Sequence, residues 1–138
     1  MSKHGVTRQA RPRVKKLSAS ESMIQRSVLD WLKAKGIFAV RLNNAPVPTR
    51  TGGFRPVAMK GMPDCHVDYP VEDIPVSVWV EFKTERGKLT EHQIAVREAI
   101  ASHGGFYFVI QSIDAMQGAL EVVEQAVKSR IKIRRQNG

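Results

Sequence analysis

The 138-residue chain holds a single cysteine, Cys65. No internal disulfide framework can form, and the composition fits a reducing compartment. Cys65 lies in the expected core, where a small buried residue is a better description than a nucleophile. No apolar run approaches the roughly 18 residues of a membrane span. The basic first residues lead into an amphipathic stretch rather than the apolar region of a signal peptide, so the expectation is a soluble, intracellular protein with no membrane partner. Aromatic residues are only 7% of the chain, and no aromatic motif for stacking RNA bases is present. Acidic residues are missing from both ends: 1–18 carries six basic residues and no acid, and 128–138 carries five and no acid. The segment between them holds 11 basic residues against all 13 acidic ones, so the formal charge of +9 resides in the ends. Such ends suit a polyanion, whose phosphates they would neutralise with release of counterions; the plainer alternative is a solvated tail that aids solubility.

The length is that of one domain, with 42% hydrophobic and 25% charged residues, and it leaves no room for a second core of useful size. The expected organisation is a basic, flexible arm over 1–18, a folded domain over 19–127 and a basic C-terminal tail over 128–138. Ser20 can cap a helix over 20–35 that carries Ile24, Val28, Trp31 and Leu32 on one stripe and stops at Gly36. A strand is expected over 37–42, and a loop over 43–61, where three prolines and three glycines fall and where Arg50, Arg55 and Lys60 could touch a polyanion. Then follow a short strand over 64–68, a turn over 69–75 and an alternating strand over 76–83. On that last strand Val76, Val78, Val80 and Phe82 share one face, and Ser77, Trp79, Glu81 and Lys83 the other. Thr90 opens a second helix over 90–102, 106–111 is an apolar strand, and Ser112 can cap a third helix carrying Met116, Leu120, Val123 and Val127. The order of elements points to an α/β fold.

Two short signals carry chemistry: Pro63-Asp64 at the head of one strand, and Glu81-Phe82-Lys83 at the end of the next. Neighbouring strands can bring Asp64 and Glu81 together at one edge of a sheet with Lys83 beside them. Two carboxylates at close range repel, and a hard divalent cation with oxygen ligands is the usual means of keeping both ionised; magnesium is the natural choice, with manganese as a substitute. Such a site can hydrolyse a phosphodiester. The alternative is an ordinary Glu81–Lys83 ion pair on an exposed strand, with Asp64 capping a turn.

Taken together and in order, Glu21 with Gln25, Lys60-Gly61-Met62-Pro63-Asp64, Glu81-Phe82-Lys83-Thr84, Gly87-Lys88-Leu89-Thr90, Gln93 and a closing glycine before an apolar strand resemble the VRR-NUC family. That family is a branch of the PD-(D/E)XK nucleases, found in phages, bacteria and the nuclease domain of the Fanconi-associated nuclease. The resemblance spans about residues 20–123 and implies a restriction-endonuclease-like core, a central mixed sheet flanked by helices. It implies metal ligands at Asp64, Glu81 and the backbone carbonyl of Phe82, and a Lys83 that serves the attacking water. It also implies that Glu21 approaches the metal from the first helix and that Gln93 reaches the site from the second. Glu21 would equally suit a helix dipole, and Gln93 would equally complete a capping box with Thr90. The implied activity is metal-dependent DNA endonuclease cleavage, structure-specific on branched DNA like a Holliday-junction resolvase, by a homodimer. The implied setting is replication, recombination or DNA repair in the cytoplasm of a bacterial cell or a phage-infected host. Two rivals remain: a non-catalytic basic nucleic-acid-binding protein, and a monomeric flap or nicking nuclease. No histidine spacing suggests a metal cluster. His66 shares a strand face with Asp64 but reads better as a half-exposed polar residue, and Trp31 and Trp79 read as packing residues.

Overall fold

The computed structural model describes residues 19–42, 47–55 and 59–138. The expected basic arm over 1–18 and the stretches 43–46 and 56–58 of the long loop lie outside the described residues. Among the described residues nine elements follow in chain order: α1 (Ala19–Ala34), β1 (Phe38–Arg41), β2 (Val47–Pro48), β3 (Phe54–Arg55), β4 (Cys65–Val71), β5 (Ile74–Phe82), α2 (Glu91–Ser102), β6 (Phe106–Ile110) and α3 (Ile113–Gln136). The main sheet has the order β1-β4-β5-β6, antiparallel except for the parallel pair β5–β6. This is the expected α/β architecture, a central mixed sheet flanked by helices.

The apolar stripe of α1 behaves as its spacing predicts: Val28 and Leu32 are fully buried, and Gly36 takes the left-handed conformation (φ 71°) that turns the chain into β1. The helix includes Ala19 as well as Ser20, so Ser20 lies within it and not at its cap. α1 and α3 pack on each other and against one face of the sheet. Cys65, Val67 and Val71 of β4, Val78, Val80 and Phe82 of β5 and Ile110 of β6 supply that face, and Met116, Leu120 and Val123 of α3 close over it. Each such side chain contributes about 1.5–3 kcal/mol when fully buried, so this layer holds the fold. α2 lies on the other face. Its N-terminus is the expected capping box, in which Thr90 Oγ1 accepts from Gln93 N–H and Gln93 Oε1 accepts from Thr90 N–H. Ser112 caps α3 as expected, accepting from Ala115 N–H at 3.0 Å.

The structure departs from the sequence expectations in three further places. The turn expected over 69–75 shrinks to Glu72 and Asp73, with φ of 48° and 64°. Two consecutive left-handed residues form the tight turn whose twist matches that of paired strands. Val71 and Ile74 close it, which leaves Pro70 opposite Pro75 as a non-hydrogen-bonded pair. The ring nitrogens then face outward at positions beyond the ends of β1 and β6, where no ladder needs an N–H. The loop over 43–61 contains a small antiparallel hairpin, β2 with β3, closed by Thr49 N–H donating to Gly53 O at 2.8 Å. Finally, the basic stretch over 128–138 continues α3 to Gln136. It contains helix-forming Lys, Arg and Gln, has no glycine before Gly138, and sets Arg134 and Arg135 in the last turn, where they complement the helix dipole. Among the described residues no helix is long and apolar enough to cross a membrane.

Candidate active site

The pairing of β4 with β5 sets Cys65 opposite Val80 and His66 opposite Trp79. Carried one residue further, the same register sets Asp64 opposite Glu81 on the face away from α1 and α3. The backbone holds Asp64 at both ends. Its Oδ2 accepts from Phe82 N–H at 2.9 Å, and its carbonyl accepts from Leu42 N–H at 2.8 Å, tying the residue to the end of β1. Glu81 is 2% exposed, the one charged residue among the buried ones described. Its Oε1 accepts from Gln93 Nε2 at 2.8 Å and faces Lys83 Nζ at 3.6 Å. Its Oε2 is buried and has no hydrogen-bond partner.

Gln93 reaches Glu81 because two things fix the start of α2. The capping box locks the side chain's carbonyl oxygen onto Thr90, which turns its amide nitrogen toward β5. Gly61 then lets the Lys60–Asp64 segment lie against the helix: at φ 84° it takes a left-handed conformation, and a Cβ there would collide with the His92 backbone. The capping role and the site role of Gln93 are therefore one arrangement, in which the cap orients the amide that binds the carboxylate.

The electrostatics follow from this burial. Desolvation, and then the neighbouring Asp64 charge, push Glu81 up to about 7, while Lys83 pulls it back only in part. A buried carboxylate with a second carboxylate opposite, one unpartnered oxygen and a single ammonium is short of positive charge. That donor set fits a hard divalent cation, which takes oxygen ligands. Asp64 and Glu81 would hold it. Glu21 lies half-buried in the first turn of α1, and no hydrogen bond or ion pair joins it to the pair. Among the described residues no group of three or more His, Cys, Asp or Glu side chains converges as a metal set.

The other sequence candidates fall where packing puts them. His66 Nε2 meets Ser77 Oγ at 2.6 Å, and its ring lies 4.5 Å from that of Trp79. Cys65 is fully buried on the opposite face; burial and then Asp64 raise its thiol to about 12, so no thiolate is available. Trp31 packs against the core with Lys35 6.0 Å above its ring. One polar group has no sequence signal of its own. Tyr107 lies in an otherwise apolar strand, yet β6 pairs it with Trp79, on the face that carries Glu81. Its hydroxyl is buried without a partner, and burial and then the Glu81 charge push it up to about 12. Only the parallel register of β5 and β6 reveals it.

No protein-family model matches the chain, and no curated protein matches it. A solved structure described as a VRR_NUC domain does: it is 24% identical, with a TM-score of 0.54, over 74% of this chain and 95% of that one. Such a likeness speaks to architecture alone, and it gives this chain the fold of a VRR_NUC domain.

Proposed function

We propose that the protein is a divalent-metal-dependent DNA endonuclease that hydrolyses phosphodiester bonds, with Asp64, Glu81, Lys83 and Gln93 as its working residues. The observation that carries this reading is Glu81: a buried carboxylate facing Asp64, with one oxygen unpartnered and its other oxygen flanked by Lys83 and Gln93. A merely structural ion pair would not bury a second negative charge beside the first, because desolvation costs more than one ammonium returns. When bound, magnesium, or manganese in its place, would activate water and offset charge on the phosphodiester. Asp64, Glu81 and the Phe82 carbonyl are the ligands on this reading, and Glu21 would complete the set from α1. Lys83 donates a hydrogen bond to the attacking water and orients it toward phosphorus, while Gln93 keeps Glu81 from turning. The P–O bond to the leaving oxygen breaks as the bond to water forms; the attacking water gives up a proton to solvent and the leaving oxygen takes one up, so the products are a phosphomonoester and a hydroxyl. The basic last turns of α3 supply phosphate contacts away from the site.

The substrate on this reading is branched DNA, cut by a homodimer whose two sites make paired incisions. The test incubates the protein with a labelled four-way junction and its matching linear duplex, with and without magnesium or manganese, alongside Lys83→Ala. The expected result is metal-dependent cutting of the junction that falls at least 100-fold in the variant, a loss of about 2.7 kcal/mol of transition-state stabilisation. Binding without cutting under every metal and DNA structure would favour a non-catalytic binding protein. Cutting by a species of monomer mass would favour a flap or nicking nuclease.

A further inference from the structure

Two buried oxygens on the face under α2 have no partner: Glu81 Oε2 and the Tyr107 hydroxyl. Native proteins rarely leave such atoms unsatisfied, because each is destabilising when they do. Here the two belong to neighbouring strands. β5 and β6 pair Trp79 with Tyr107 and Glu81 with Val109, so Tyr107 and Glu81 are diagonal neighbours on one sheet face. Diagonal neighbours stand about 7–8 Å apart, within the reach of a tyrosine side chain. Of the charges around Tyr107, Glu81 acts on its hydroxyl most strongly, followed by Arg97 and then Asp64.

We infer that Tyr107 is a positioning residue for the carboxylate pair: its O–H reaches Glu81 Oε2 through one buried water and fixes that oxygen for a divalent cation. The inference rests on the metal-binding reading above. The arrangement is complementary, since a phenol kept protonated is a donor and an ionised carboxylate only accepts. Gln93 holds one oxygen of Glu81 and Tyr107 the other, so the carboxylate cannot rotate. Partners of this kind around ligating carboxylates set metal affinity, and their loss costs about 10–100-fold. Tyr107 touches neither the scissile bond nor the attacking water in this account. It acts through Glu81.

Tyr107→Phe removes the hydroxyl and keeps the ring. The experiment titrates manganese into the full-length wild type and the variant without DNA, with bound metal followed by electron paramagnetic resonance and thermal unfolding recorded with and without the metal. The expected result is a manganese Kd raised about 10-fold or more, with the metal-free Tm of the variant equal to or below that of wild type, because Glu81 Oε2 loses its donor. A hydroxyl that is only an unsatisfied buried group would instead give a Tm equal to or above that of wild type, with manganese affinity unchanged within twofold, and that outcome overturns the inference while leaving the metal site standing. Should the variant melt early, the manganese-induced rise in Tm makes the same comparison: a smaller rise than in wild type supports the role, and an equal rise overturns it. If the wild type binds no manganese, the inference and the metal-dependent function fall together.

Discussion

The two faces of β5 carry neighbouring residues with opposite duties. Val78, Val80 and Phe82 face α1 and α3 and are fully buried among apolar partners. Glu81, one residue away from two of them, is buried too, but against Asp64, Lys83 and Gln93 and with one oxygen unpartnered. The same strand thus holds a saturated layer, in which every group has what it needs, and an unsaturated one short of positive charge. A fold can carry the second only because the first over-determines the strand's position. At the head of β4 the division recurs in consecutive residues: Asp64, just before the strand, faces Glu81, and Cys65, its first residue, faces the core.

The largest effect expected from this division is on the apolar side. Phe82→Ala should destabilise the protein by about 3–5 kcal/mol, because it opens a cavity beneath a residue that is fully buried. Domains are stable by only about 5–15 kcal/mol, so the variant should be partly unfolded near physiological temperature, as urea titration would reveal. A cost below about 1 kcal/mol would mean that the core layer does not hold β5 and that the two faces do not differ in this way.

On the other face, the neighbouring substitution should go the opposite way. Glu81→Gln keeps size and shape and removes the charge. In the unfolded chain Glu81 has its ordinary value of 4.5, and in the fold it is raised to about 7. Between these two values the folded protein therefore holds a proton that the unfolded chain releases, and stability falls as pH rises through that window. Without metal, the variant should match wild type near pH 4, pull ahead as pH approaches 7 and hold its advantage above that. The expected gain is several degrees in Tm, since 1 kcal/mol is worth about 3–6 °C in a chain of this size. Nuclease activity should vanish in the same variant. Added magnesium should narrow the gap by stabilising wild type alone. A variant less stable than wild type at pH 8 without metal would mean that Glu81 is a satisfied structural residue.

Local chemistry explains which parts of this were legible in the sequence. Strand alternation put Glu81 and Phe82 on opposite faces, and the capping signature Thr90–Gln93 marked the start of α2; both are properties of a few consecutive residues. A turn over 69–75 was legible, but its narrowing to Glu72–Asp73 was not, because the left-handed conformation there is imposed by the pairing of β4 with β5 and not by glycine or asparagine. Nor was Tyr107, whose meaning depends on a parallel register set across the whole of α2. The helical end of α3 was hidden for a different reason: a run of lysine and arginine looks like a tail when composition alone is weighed, although the same residues are good helix formers. Glu21 shows the converse. Its place in the first turn of α1 was legible, but whether it serves the site is a matter of tertiary geometry that a helix dipole equally satisfies.

The smallest expected effect tests the boundary between the faces at its narrowest point. Cys65 is adjacent in sequence to Asp64, and the Asp64 charge helps to raise its thiol. If the strand keeps its faces apart, Cys65→Ala should remove one buried sulfur from the core, cost on the order of 1 kcal/mol, and leave both manganese affinity and cleavage rate within about twofold of wild type, a difference of 0.4 kcal/mol. The wild-type thiol should resist an aromatic disulfide reagent in the folded protein and react fully in denaturant, because a group held near 12 and fully buried supplies no thiolate. Fast modification of the native thiol would show that β4 opens locally at the site, and the carboxylates would then be held by something other than the core behind them. A slow reaction that tracks global unfolding would show that the apolar layer stays closed behind the Asp64–Glu81 pair.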